Sequence, residues 1–67
     1  MEFKIEVTYT TYMRVLFDDK FEIKLGGYTL NDAFAVTTNC MRKHNFTHAD
    51  IMDDNTGEVL AIVNSEQ

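Results

Sequence analysis

The stretch MEFKIEVTYTTYMRVLFDDKFEIKL, residues 1–25, alternates apolar and polar side chains almost without a break. Successive side chains of a β-strand point to opposite faces, so this alternation predicts strands with one buried and one solvent-facing side. The apolar residues at odd positions are Met1, Phe3, Ile5, Val7, Tyr9, Met13, Val15, Phe17, Phe21, Ile23 and Leu25. The pattern is informative about the fold and almost silent about chemistry.

Residues 1–17 are too long for one straight strand, because they would span about 55 Å at about 3.3 Å per residue. The alternation of apolar and polar residues is interrupted at Thr10 and Thr11. We therefore expect strands near residues 2–9 and 12–17, either as two strands or as halves of one strand bent by a bulge. The bulge is favoured, because the sequence there lacks the glycine or Asn-Gly of a tight hairpin.

Asp18, Asp19 and Lys20 form a polar connection to the next strand. One hairpin register puts every apolar pair on the same face. Its pairs are Phe17–Phe21, Val15–Ile23 and Met13–Leu25, with the like-charged Arg14 and Lys24 opposite each other on the solvent-facing side. Gly26-Gly27 is predicted to end this strand.

A helix is predicted over residues 30–44. Thr29 suits the N-cap position and Asp32 the first turn, while Asn45 suits the C-cap. Apolar residues recur at helical three- and four-residue steps, at Leu30, Ala33, Phe34, Val36, Cys40 and Met41.

Residues 49–64 predict a second hairpin around the loop Asp54-Asn55-Thr56-Gly57. Pairing Asp53 with Glu58 in this hairpin sets Ile51 opposite Leu60 and Ala49 opposite Ile62. The return strand, residues 59–63, is apolar on both faces, which is typical of a strand covered on both sides.

One helix covers only one face of an antiparallel sheet, so the second apolar face needs another cover. Either the bent N-terminal strand or a partner supplies it. We expect an oligomer interface there, because a large exposed apolar patch commonly marks an interaction site. The residues are Met52, Val59, Ala61 and Val63.

Together these elements predict a single α+β domain over residues 1–67, in the order ββ(β)αββ. An antiparallel sheet of four to five strands carries one helix packed on one face. The single cysteine fits a reducing compartment, and no apolar run approaches the roughly 20 residues of a membrane span. We therefore expect a cytoplasmic protein without membrane contact.

The net charge of −5, from eleven acidic and six basic residues, opposes binding to phosphate backbones. Direct nucleic-acid binding is therefore not expected. An acidic surface can attract a basic protein, including one that itself binds nucleic acid. A charge of this size also serves simply to keep a small domain soluble.

Cys40, His44 and His48 are spaced four residues apart. Cysteine and histidine side chains bind zinc in many proteins, and Asp50 is a candidate for the fourth ligand. The helix end predicted at residues 45–47 would separate His48 from the other two. We therefore interpret Cys40 as a core residue and the histidines as surface residues. No metal, cofactor or catalytic residue is predicted, and the protein is not expected to be an enzyme.

Tyrosine on an exposed surface is enriched at binding hot spots. Tyr12 falls on the solvent-facing side of its strand, and Tyr28 precedes the helix. With the acidic residues Asp18, Asp19 and Glu22, they form the predicted partner-binding surface. Alternatively, Tyr12 merely fills a cross-strand position.

The leading functional hypothesis is a small acidic protein-interaction module. In size, acidity and layout the chain is similar to small accessory and inhibitor proteins of phages and mobile elements. That resemblance implies binding to, and occlusion of, a larger partner. The alternatives are a homo-oligomeric structural protein, such as a homodimer joined through the surplus apolar face, and a zinc-dependent regulator.

Overall fold

A computed structural model describes residues 10–65. The elements in chain order are β1 (Thr10–Phe17), β2 (Phe21–Thr29), α1 (Leu30–His44), β3 (His48–Asp53) and β4 (Val59–Asn64). The strands form one antiparallel sheet in the order β2-β1-β3-β4, with α1 packed on one face. The predicted α+β fold is confirmed in the order ββαββ. The strand predicted near residues 2–9 lies outside the described residues.

The β1–β2 hairpin has the predicted register, including the Arg14–Lys24 pair. Asp18 and Asp19 take left-handed φ values of 51° and 57°, and the Lys20 N–H donates to the Phe17 carbonyl at 2.9 Å. Two central residues with positive φ give a turn whose twist matches that of the strands. Aspartate tolerates this conformation better than most residues because its short side chain bonds locally.

Gly26-Gly27 does not end β2, contrary to prediction, because the strand continues to Thr29. Thr11 pairs with Tyr28 and Met13 with Leu25, so both glycines lie opposite the single residue Tyr12. This bulge lies in β2, whereas the bend expected at Thr10-Thr11 involves residues 2–9, which lie outside the described residues. Glycine makes this placement possible, since Gly27 adopts a φ of 72° at little steric cost.

Helix α1 has the predicted bounds and caps. The Thr29 hydroxyl accepts a hydrogen bond from the Asp32 N–H at 3.1 Å. Asn45 is left-handed, with a φ of 59°, and its N–H and that of Phe46 both donate to the Met41 carbonyl. Each end of the helix thus satisfies backbone groups that have no partner within the helix.

The β3–β4 hairpin begins as predicted, with the Asp53 N–H donating to the Glu58 carbonyl at 2.8 Å. Met52 then pairs with Val59, but the register shifts beyond this pair. The predicted pairs Ile51–Leu60 and Ala49–Ile62 are wrong by one residue. The observed pairs are Ile51–Ala61 and Ala49–Val63. Leu60 is the extra residue of a bulge, and the residues after it change faces relative to the prediction.

The core lies between α1 and the sheet, with the central strands β1 and β3 at its middle. Its buried apolar residues are Met13, Val15, Phe17, Leu25, Ala33, Met41, Ala49 and Ile51. The Phe17 ring stacks on Phe46 with centroids 4.9 Å apart. Burying a side chain of this size contributes about 1.5–3 kcal/mol. The core therefore draws on one face of the sheet, and no element within residues 10–65 packs on the other.

Candidate interaction surface

No element within residues 10–65 covers the sheet face opposite α1. We call this surface the open face. Its side chains come from every second residue of the strands and are Tyr12, Arg14, Leu16, Glu22, Lys24, Asp50, Met52, Val59 and Ile62. Tyr12 and Ile62 are each 62% exposed and Val59 is 49% exposed. The open face therefore presents three large apolar side chains to solvent.

Cross-strand pairing arranges the open face in two rows. One row crosses the sheet through Glu22, Leu16, Asp50 and Ile62. The other crosses it through Lys24, Arg14, Met52 and Val59. Both rows are charged at the β2 side and apolar at the β4 side. The apolar residues Met52, Val59 and Ile62 thus lie on the β3–β4 side of the face, next to the charged Asp50.

Two carboxylates near Arg14 offset the repulsion between Arg14 and its like-charged neighbour Lys24. The Arg14 Nε lies 3.5 Å from Asp54 Oδ1 and 3.8 Å from Glu22 Oε2. Both pairs are half-exposed, and ion pairs at a protein surface contribute only about 0–1 kcal/mol to stability. Their main effect is on the surface charge. With Arg14 compensated by two carboxylates, the acidic Asp50 remains beside the apolar residues of the face.

The position of Tyr12 depends on the bulge in β2. A Cβ atom placed on Gly26 would lie 2.8 Å from Tyr12 Cε1, closer than real Cβ contacts allow. The Tyr12 ring therefore lies directly against the Gly26 backbone while most of it faces solvent. This contact restricts the Tyr12 side chain before any partner binds. A restricted side chain loses less conformational entropy on binding, and tyrosine is common at binding hot spots.

The five residues of the predicted partner-binding surface lie in three places. Tyr12 and Glu22 are on the open face. Asp18 and Asp19 form the β1–β2 turn, at the opposite end of β1 from Tyr12. Tyr28 is half-buried and packs against the core. The structure thus groups only two of the five on one surface.

The residues of the predicted oligomer interface also separate. Met52 and Val59 pair with each other on the open face. Ala61 and Val63 pack against the core, because the bulge at Leu60 turns them toward α1. Ile62 takes the outward position that the prediction had missed. The sequence carried no signal for this exchange, since all residues from 59 to 63 are apolar.

Asp18 joins the β1–β2 turn to the connection between α1 and β3. Its carboxylate accepts hydrogen bonds from the Thr47 N–H at 3.0 Å, the Thr47 hydroxyl at 2.8 Å and the His48 N–H at 2.9 Å. The hydrogen bond from the His48 backbone, followed by that from the Thr47 hydroxyl, lowers the pKa of Asp18 below its ordinary value. These bonds give Asp18 a structural role.

The three residues of the zinc hypothesis do not converge. Cys40 is half-buried against the core, and the His44 ring lies 5.8 Å from that of Phe46. His48 Nδ1 lies 3.3 Å from Asp18 Oδ1. Within residues 10–65, no three histidine, cysteine or acidic side chains are grouped so that they could hold a metal ion.

The described part of the chain contains no helix with the length and apolarity needed to cross a membrane. No protein-family model matches the chain, and comparisons with curated proteins and with solved structures found no significant match. Any functional argument therefore rests on the geometry of the surfaces themselves.

Proposed function

We propose that the protein is a small acidic interaction module that binds a larger protein through the open face and performs no catalysis. The observation that supports this proposal is the exposure of Tyr12, Ile62 and Val59 on a sheet face without a covering element within residues 10–65. Apolar patches rimmed by polar residues are typical of protein-binding sites. Here Glu22, Asp50 and the Arg14 ion pairs supply the polar surroundings.

The charge of the chain favours a basic partner. The net charge is −5, and opposite charges on two proteins accelerate their encounter and exclude wrong partners. A partner surface combining lysine or arginine with aliphatic side chains would complement both the carboxylates and the apolar residues of the open face. Covering such a surface would inhibit a partner that uses it to bind nucleic acid. This is the mode of action implied by the resemblance to accessory and inhibitor proteins of phages and mobile elements.

The proposal is tested by capturing partners from the native host with the full-length chain and identifying them by mass spectrometry. The test variant is Tyr12→Ala combined with Ile62→Ala. The matched control is Phe34→Ala, which removes an aromatic residue that is 37% exposed on α1. We expect the wild type and the control to retain the same partner and the open-face variant to lose it.

Salt provides the second readout. Binding between the acidic chain and a basic partner should weaken as ionic strength rises, because the Debye length shortens from about 10 Å at 0.1 M to about 3 Å at 1 M. A partner that the open-face variant retains in full would contradict the proposal. Self-association that only this variant abolishes would instead support the homo-oligomeric alternative.

A further inference from the structure

A groove lies between the C-terminal half of α1 and β4, on the opposite side of the sheet from the open face. Helix α1 has more contacts with β2 than with β4. The groove has a volume of about 390 Å³, and its lining includes Thr38, Met41, Arg42, Phe46 and Val63. Met41, Phe46 and Val63 give it an apolar floor continuous with the core.

The edge of β4 runs along this groove. The Ser65 N–H donates to the Thr47 carbonyl at 2.8 Å, and Thr47 and Ser65 continue the register of the β3–β4 ladder. Bonded and non-bonded pairs alternate in an antiparallel ladder, so the backbone groups of Ile62 and Asn64 point away from β3. Within residues 10–65, no strand pairs with this outer edge.

The two edges of the sheet differ in how they are protected. On β2, the Gly26-Gly27 bulge and the exposed Lys24 oppose pairing with another strand. Residues 59–64 of β4 contain neither lysine nor proline, and the bulge at Leu60 leaves Ile62 and Asn64 in regular pairing. Within residues 10–65 the edge of β4 at Ile62 and Asn64 is unpaired and lies beside an apolar groove, which is the geometry used when a protein accepts an added strand.

The chain itself contains a sequence with the alternation of a suitable strand. Residues 1–9 read MEFKIEVTY and lie outside the described residues. Phe3, Ile5 and Val7 share one side of the alternation, and the other side carries Glu2, Lys4, Glu6 and Thr8. In a strand added to β4, alternate side chains would enter the groove, so this spacing matches an apolar floor on one side and solvent on the other.

The position of Thr10 indicates which copy of the chain supplies the strand. β1 is separated from the free edge by β3 and β4, so a strand added there would lie about 14 Å from β1, at three strand spacings. A connection within one chain would also pass over the loop of residues 54–58, which lies at the same end of the sheet. A strand paired over residues 2–8 leaves only Tyr9 before Thr10, which reaches about 7 Å at about 3.5 Å per residue. A second copy is not subject to this limit.

We propose that the groove between α1 and β4 binds the N-terminal segment, residues 2–8, of a second copy of the chain as an added strand. Reciprocal exchange of the two segments forms a dimer. This inference goes beyond the proposed function, because it uses a different surface and leaves the open face available to a partner protein.

Sedimentation velocity of the full-length chain over a concentration series provides the test. Thr38→Arg places a long charged side chain on the groove wall, whereas Asn39→Arg adds the same charge to the next exposed residue of α1, outside the groove lining. We expect the wild type and Asn39→Arg to dimerise with equal affinity. Thr38→Arg should weaken dimerisation about tenfold or more, as for a change at the centre of an interface. Equal effects of the two variants, or a monomeric wild type at high micromolar concentration, would overturn the proposal.

Mixing two defective variants separates strand exchange from other modes of association. Ile5→Lys disables the segment but keeps the groove, and Thr38→Arg does the reverse. Each alone should be largely monomeric, and the mixture should form heterodimers through the remaining intact segment and groove. Absence of heterodimers would overturn the proposal, as would dimers that persist in Ile5→Lys. Tyr12→Ala should leave the dimer intact, and loss of the dimer in this variant alone would assign association to the open face instead.

Salt distinguishes this association from the binding of a basic partner. Two copies of a chain with a net charge of −5 repel each other, so added salt should strengthen the dimer. Dimerisation that weakens steadily with salt would contradict docking through an apolar groove.

Discussion

The two faces of the sheet are built from alternate residues of the same strands, yet they have opposite properties. On the covered face, Met13, Val15 and Phe17 are completely buried beneath α1. On the open face, Tyr12 and Ile62 remain 62% exposed. Apolar content alone therefore does not decide whether a face of this sheet is buried. The difference is that α1 covers one face, whereas no element within residues 10–65 covers the other.

The largest expected difference between the faces concerns the free energy of unfolding. Phe17→Ala should lower it by about 3–5 kcal/mol, because it removes a buried ring and leaves a cavity beside Phe46. For a small domain this is much of the total stability. The control is Tyr12→Ala on the open face, which should lower the free energy of unfolding by about 1 kcal/mol or less. Urea unfolding followed by circular dichroism measures both values, and equal losses would show that the faces do not differ as described.

Asp18 links the β1–β2 turn to the end of the connection between α1 and β3, where its carboxylate accepts hydrogen bonds from Thr47 and His48. Substituting Asp18 therefore tests how much this link stabilises the packing of α1 on the sheet. The pKa of Asp18 is lowered on folding, so its contribution to stability is present above the ordinary aspartate pKa of about 3.9 and is lost as pH falls through the lowered value. Asp18→Asn should melt at a lower temperature than the wild type at pH 7.

The same variant has a characteristic pH dependence. The difference in melting temperature between the wild type and Asp18→Asn should be constant above about pH 5 and shrink as pH falls below it. Thermal melts across this range measure the difference. A gap that stays constant down to low pH would assign the effect to packing rather than to the Asp18 charge. Asp19→Asn is the matched control, since Asp19 is an exposed neighbour in the same turn.

The smallest expected effect on stability is on the open face. Ile62→Thr keeps a β-branched side chain and should change the free energy of unfolding by less than about 0.5 kcal/mol. It should nevertheless reduce binding of the partner captured by the wild type, measured by titration calorimetry. A large loss of stability would mean that Ile62 is packed within the folded chain, and unchanged binding would remove it from the proposed interface.

The β1–β2 register and the extent of α1 follow from the local sequence pattern. In the first hairpin, a shift by one residue would put the apolar residues of β1 and β2 on opposite faces, so the alternation together with the short loop of residues 18–20 gives the observed register. The helix caps at Thr29 and Asn45 act through nearby backbone groups, and local chemistry of this kind is readable from neighbouring residues.

The outward-facing residues of β4 depend on tertiary contacts. Residues 59–63 are all apolar, so alternation cannot choose between the two faces, and the bulge at Leu60 places Ala61 and Val63 against the core. The anchoring of Asp18 depends on Thr47 and His48, 29 and 30 residues away, and such separations leave no local pattern. Short-range periodicity therefore specified the elements, whereas contacts between distant segments specified the surfaces on which the proposed functions depend.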